Sequence, residues 1–166
     1  KHSIIYNLMK RVAYLFWGIG ILHVFGQYTN QELLTTYTKP LLVPLLAVFY
    51  YNKQAERLFL IALGCSWLGD LFLMGEGRLF FLSGIFSFWG AQLCYLYLIN
   101  KEVQLPFKKR LFSKEALLPL ILFGSYFVGT MSLLGVKLGM LTFPVSGYAF
   151  TLAIIGATSM LLWIKK

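Results

Sequence analysis

Asp70 is the only aspartate of the chain, and it falls inside Leu58–Gly75 (LFLIALGCSWLGDLFLMG), a stretch that otherwise reads as a membrane-crossing helix. A carboxylate at the centre of such a helix costs about 2.5–3.5 kcal/mol or more, so it marks a functional site or a charge with a partner close by. Ser66 lies four residues earlier and therefore on the same helix face. Helices rise about 1.5 Å per residue through a hydrocarbon core of about 30 Å. Laid out on that scale, His23, Lys39, Ser83, Ser87, Ser146 and Tyr148 fall at the level of Asp70 in one half of the membrane, drawn from neighbouring spans. The other half is drier, with Gln92 and Tyr95 as its main polar residues, and Tyr95 fits the interfacial aromatic belt.

The chemistry open to this layer is narrow. No HExxH, no GxSxG and no cysteine–histidine pair at motif spacing occurs, which leaves zinc hydrolysis and ordinary serine or cysteine nucleophiles without a pattern. Neither cofactor nor metal is expected. What remains is acid–base work by a carboxyl group. An apolar setting favours the neutral form of such a group and a nearby ammonium favours the ionised form, so the reach of Lys39 decides between them. Lys39 can snorkel to the outer surface or turn inward as the counter-charge of Asp70. His23 serves as an acid or base if geometry allows, and otherwise as a packing or interfacial residue.

These residues need helices to hold them. With 58% hydrophobic and 13% charged residues and a mean hydropathy of +0.71, the chain is too apolar for a water-soluble domain of its length. The expected fold is all-α, a polytopic transmembrane helix bundle of six spans in a single domain, residues 1–166. The spans run near Val12–Phe25, Pro40–Tyr51, Leu58–Met74, Leu79–Ile99, Ala116–Leu134 and Met140–Ile164, the second gaining length from the Thr35–Lys39 side. The first lacks a small-residue cleavage site and reads as a retained helix. Of the 15 lysines and arginines only Lys39, Arg78 and Lys137 fall on one side of this layout. That bias puts both termini in the cytoplasm.

A net charge of +9 is of the sign that suits nucleic acid, but the basic residues are scattered among apolar spans, and no nucleic-acid partner is expected. The KKR run at Lys108–Arg110 reads as a cytoplasmic anchor within reach of membrane lipid head groups. Cys65 and Cys94 lack disulfide or metal spacing and read as packing residues. Pro40 and Pro44 each remove a backbone donor from the second span, which is tolerated where neighbours satisfy the freed carbonyls. Gly64, Gly69, Gly84 and Gly90 are expected to let the third and fourth spans pack closely as a hairpin.

The segments TKPLLVPLL (Thr38–Leu46), SWLGDLFLM (Ser66–Met74), FLSGIFSFWGAQLCYLYLI (Phe81–Ile99) and PVSGYAF (Pro144–Phe150) resemble the YhhN-like lysoplasmalogenases in order and spacing. The resemblance implies a membrane hydrolase that cleaves the vinyl ether bond of lysoplasmalogens, which are lysophospholipids, into a fatty aldehyde and a glycerophospho-head group. It places Lys39, Ser66, Asp70 and Tyr148 on matching positions, with Asp70, Lys39 and Tyr148 as catalytic candidates. His23, Ser66, Ser83, Ser87 and Gln92 are the candidates for binding substrate. Gln92 stands where the family usually carries a histidine. The family pattern of about eight spans and a second carboxylate on a late helix leaves this chain two helices short, either as a piece of a longer protein or as a divergent relative. A bacterial inner-membrane location is expected. The competing reading from the residues alone is a small lipid-binding or proton-coupled transport protein built on an Asp70/Lys39 ion pair.

Overall fold

A computed structural model describes residues 2–51, 56–103 and 113–164. Several positions in the charge sorting, namely Lys1, Lys53, Lys165, Lys166 and the KKR run Lys108–Arg110, lie outside the described residues, as does the side chain of Lys137. Among the described residues the architecture is all-helical: α1 (His2–Tyr28), α2 (Glu32–Tyr51), α3 (Arg57–Phe72), α4 (Arg78–Val103), α5 (Leu117–Leu138) and α6 (Thr142–Ile164). Five of these are long and apolar enough to cross a membrane. The helices group into two compact units, Lys1–Ala91 and Gln92–Lys166.

In the first unit α1 turns back onto α2 through three residues. Asn30 takes the left-handed conformation (φ 53°), the Gln31 amide donates to the Gly26 carbonyl at 2.9 Å, and the Asn30 amide donates to the Gln27 carbonyl at 3.3 Å. This is the Schellman arrangement, which satisfies carbonyls that a helix end leaves open. The hairpin then packs in antiparallel register. Gly26 meets Leu34 and Thr35, His23 meets Thr38, and Gly20 meets Leu42. Helix α3 follows α2 the same way, from the stacked rings of Tyr50 and Phe59 (centroids 4.2 Å apart) at one end to Lys39 and Asp70 at the other.

Helix α3 departs from expectation. Its 16 residues, Arg57–Phe72, span about 24 Å at 1.5 Å each, and it ends two residues before Met74, the end foreseen for this span. The cause is local: beyond Leu73 the Met74 and Gly75 amides donate to carbonyls only three residues back, at 3.2 and 3.0 Å, and Gly77 takes φ +100°, which lets the chain reverse into α4. Asp70 consequently occupies the last turn of α3.

The expected glycine packing of α3 on α4 holds at two of four positions. A methyl group on Gly69 would meet the Phe88 ring, and one on Gly84 would meet Leu73, whereas Gly64 and Gly90 have no heavy atom within 4 Å of that position. Only the first two lie on the faces the helices share.

In the second unit α5 and α6 pack along Ala149, Ala153 and Gly156, spaced four and three residues apart on one face of α6. Phe123 covers Gly156, and Phe127 meets Phe150 edge to face at 5.6 Å. Gln92, at the start of this unit on α4, reaches Thr151 of α6. In both units large apolar side chains face outward, Trp17, Ile21 and Leu79 in the first, Leu133 and Phe143 in the second. Such a surface suits a lipid solvent, and the chain reads as a multi-pass membrane protein.

Candidate active site

Pro40 and Pro44 do not break α2, which runs through both. Because Pro44 has no N–H, the carbonyl of Pro40 four residues earlier loses its helical donor. Trp67 of α3 supplies the replacement: its indole Nε1–H donates to the Pro40 oxygen at 2.8 Å. This bond ties α3 to α2 one residue from Lys39 and one helical turn from Asp70.

Lys39 turns inward. Its Nζ lies 3.4 Å from Asp70 Oδ1, with the lysine side chain 35% and the aspartate 21% exposed. The counter-charge reading of Lys39 therefore holds, and the snorkelling alternative does not. The two opposite charges thus meet at the end of α3.

Trp67→Phe is expected to cost about 1 kcal/mol of stability, because a part-buried carbonyl is left without a donor. Adding Pro44→Ala to that variant returns an N–H to the Pro40 carbonyl and recovers most of the loss. Thermal unfolding in nanodiscs reads both effects, and equal melting of the single and double variants would show that the indole bond is not what matters.

The other candidate residues divide. His23 Nδ1 lies 2.9 Å from Thr38 Oγ1, and Thr38 is buried beside Lys39 on α2. The Ser66 hydroxyl donates to the Ala62 carbonyl of its own helix at 3.0 Å, so it is committed locally although it shares a face with Asp70. Ser146 does the same toward Phe143. Ser83 and Ser87 are half-buried on α4, flanking the Gly84 contact with α3.

Gln92 and Tyr148 belong to the second unit. Gln92 is buried and accepts the Thr151 hydroxyl at 2.5 Å, while the Tyr148 carbonyl lies 2.9 Å from the same hydroxyl. Cys65 and Cys94 are both free thiols. Among the described residues no three His, Cys, Asp or Glu side chains come together as metal ligands.

Three participants escaped the sequence reading: Thr38, Trp67 and Thr151. Trp67 had a signal, since each proline inside a helix frees the carbonyl four residues back, here those of Thr36 and Pro40, and an indole on the neighbouring span is a donor that can reach one of them. The two threonines had none beyond a hydroxyl in an apolar helix.

The YhhN family model matches residues 34–166. That match takes in Lys39, Asp70, Gln92 and Tyr148 and begins after His23. No curated protein and no solved structure matches the chain.

Proposed function

We propose that this chain, which belongs to the YhhN family, is a membrane-embedded hydrolase of vinyl ether lysophospholipids, releasing a fatty aldehyde and a glycerophospho-head group. The observation that carries the reading is the Lys39–Asp70 ion pair in the last turn of a short apolar helix. Vinyl ether cleavage starts with a proton delivered to the β-carbon of the double bond. The pair holds such a proton in a setting poor in competing water. Delivery through Asp70 forms the C–H bond and leaves an oxocarbenium ion facing the Asp70 carboxylate, with Lys39 as a neutral amine. Water adds to the cation, and the hemiacetal collapses to aldehyde and alcohol while a proton returns to the pair.

One ion pair thus covers two duties that glycosidases divide between two carboxylates, proton donation and cation stabilisation. No other acid of the first unit lies inside a helix beyond its first residue: Glu32 opens α2, Glu56 precedes α3 and Glu76 lies between α3 and α4. In this reading Ser83 and Ser87, on α4 in the same unit as the ion pair, line the path of the lysolipid.

The test compares purified protein in nanodiscs on three lysolipids that differ only at the first chain carbon: vinyl ether, saturated alkyl ether and acyl ester. Aldehyde is expected from the vinyl ether alone, since only that bond is opened by carbon protonation. Cleavage of the ester would point to a different hydrolase. Lysolipid binding without any aldehyde would assign the ion pair to binding or transport.

A further inference from the structure

We propose that the polar turn between α1 and α2 binds the head group of the lysolipid, and that its Glu32 carboxylate selects a primary ammonium, as in an ethanolamine head group, over a quaternary one. The nature of the ligand rests on the hydrolase reading above. Gly26, Gln27, Asn30, Gln31, Glu32 and Thr35 line a cavity of about 130 Å³ where two apolar spans, Asn7–Tyr28 and Glu32–Tyr51, meet at the membrane surface. Its backbone is already engaged, the Gln31 amide donating to the Gly26 carbonyl and the Asn30 amide to that of Gln27. The Thr35 hydroxyl turns back to the Glu32 carbonyl at 2.9 Å. What the cavity offers a ligand is therefore the side chains of three amides and one carboxylate. Among the described residues that carboxylate has neither an ion-pair nor a hydrogen-bond partner.

Its placement relative to the ion pair follows from the helix. Glu32 and Lys39 are seven residues apart on the continuous helix α2, so both lie on one face, about 20° from exact alignment, with about 10 Å of rise between them. Thr35 stands between them, three residues from one and four from the other. Lys39 is the deeper, positive charge and Glu32 the shallower, negative one. A phospholipid head group presents the opposite order toward the surface, phosphate first and ammonium beyond it. The zwitterion thus lies along α2 with each charge beside its complement. Length agrees as well: the β-carbon of the vinyl ether and the ammonium nitrogen are separated by about eleven bonds, or about 13 Å in an extended chain. One molecule can hold its double bond at Asp70 and its ammonium at Glu32.

Donor count decides between head groups. A primary ammonium carries three N–H donors and can bond the carboxylate and the amide oxygens together. A quaternary ammonium has none and is held by aromatic faces. None of the residues lining this cavity is aromatic.

The test uses purified protein in nanodiscs free of ethanolamine lipid. Binding of the saturated alkyl ether lysolipids, which carbon protonation does not open, is measured beside turnover of the vinyl ethers, each with an ethanolamine and with a choline head group. The ethanolamine form is expected to bind about 5-fold more tightly and to show a similar advantage in kcat/KM, the size of one charge-assisted hydrogen bond weakened by exposure. Glu32→Gln removes the charge at an exposed side chain and should abolish that advantage by weakening the ethanolamine form, while Glu32→Asp keeps part of it. Equal binding of the two head groups by the wild type, or a preference that survives in Glu32→Gln, would overturn the proposal. Tighter binding of both by Glu32→Gln would overturn it too, by putting the phosphate at this end of α2. Aldehyde release with equal use of both head groups removes this proposal alone. No aldehyde from either vinyl ether, beside an alkyl ether preference that depends on Glu32, removes the hydrolase reading and leaves the head-group site standing.

Discussion

Asp70→Asn should lose aldehyde release by about 10³-fold or more, at the upper end of what a positioned acid contributes, while the protein folds and still binds lysolipid. The substitution is nearly isosteric, and its amide oxygen still accepts from Lys39 Nζ, which lies 3.4 Å from Asp70 Oδ1 in the native chain. What disappears is the group that passes the proton on and then opposes the cation as a carboxylate. The stability cost stays small because the unpaired ammonium is already 35% exposed and its long stem lets it move toward the interface. A fall in kcat with little change in KM is the signature of an interaction made only in the transition state. Asp70→Glu, which keeps the acid and displaces it by one methylene, should recover part of the rate. An undiminished rate in Asp70→Asn would remove the carboxyl from the mechanism.

How the site could be read before the fold was known differs residue by residue, for physical reasons. Asp70 announced itself through solvation, because an ionisable group in an apolar helix needs a partner wherever it sits. Lys39 was legible as that partner only as one of two alternatives, since a four-carbon stem serves equally well for snorkelling and for turning inward. The register of α2 on α3 decides, and register comes from long-range contacts such as Tyr50 on Phe59 and Trp67 on the Pro40 carbonyl.

Ser66 illustrates the opposite failure. Spacing put it correctly on the face of Asp70, but a serine within a helix has the carbonyl four residues back as a ready acceptor, and Ala62 takes it. The six helices were legible from hydropathy, yet the true end of α3 was not. Leu73 and Met74 are as apolar as what precedes them, and the turn is set by hydrogen bonds and by the backbone freedom of Gly77. Among the four glycines, composition alone could not separate Gly69 and Gly84, which meet a neighbouring helix, from Gly64 and Gly90, which do not.

The counterpart of the Asp70 result is that Lys39→Met damages stability as well as activity. Asp70 sits in the last turn of α3, three residues before the cap at Leu73, where the partial negative charge of the helix terminus disfavours a carboxylate. Desolvation acts in the same direction, with the side chain only 21% exposed. Lys39 offsets both, and without it the carboxylate is stranded. Breaking a buried ion pair by removing one partner costs about 3–5 kcal/mol. Partial exposure lowers the expected loss here to about 2 kcal/mol. Lys39→Met should therefore melt well below Asp70→Asn in nanodiscs, although both are inactive. The double variant Lys39→Met/Asp70→Leu, which replaces the pair by apolar groups, should regain most of that stability and none of the activity. A double variant as unstable as Lys39→Met alone would mean that the lysine stem, not its charge, supports the helix pair. Recovery of stability without recovery of aldehyde release would mark the ion pair as a feature the fold can dispense with and the chemistry cannot.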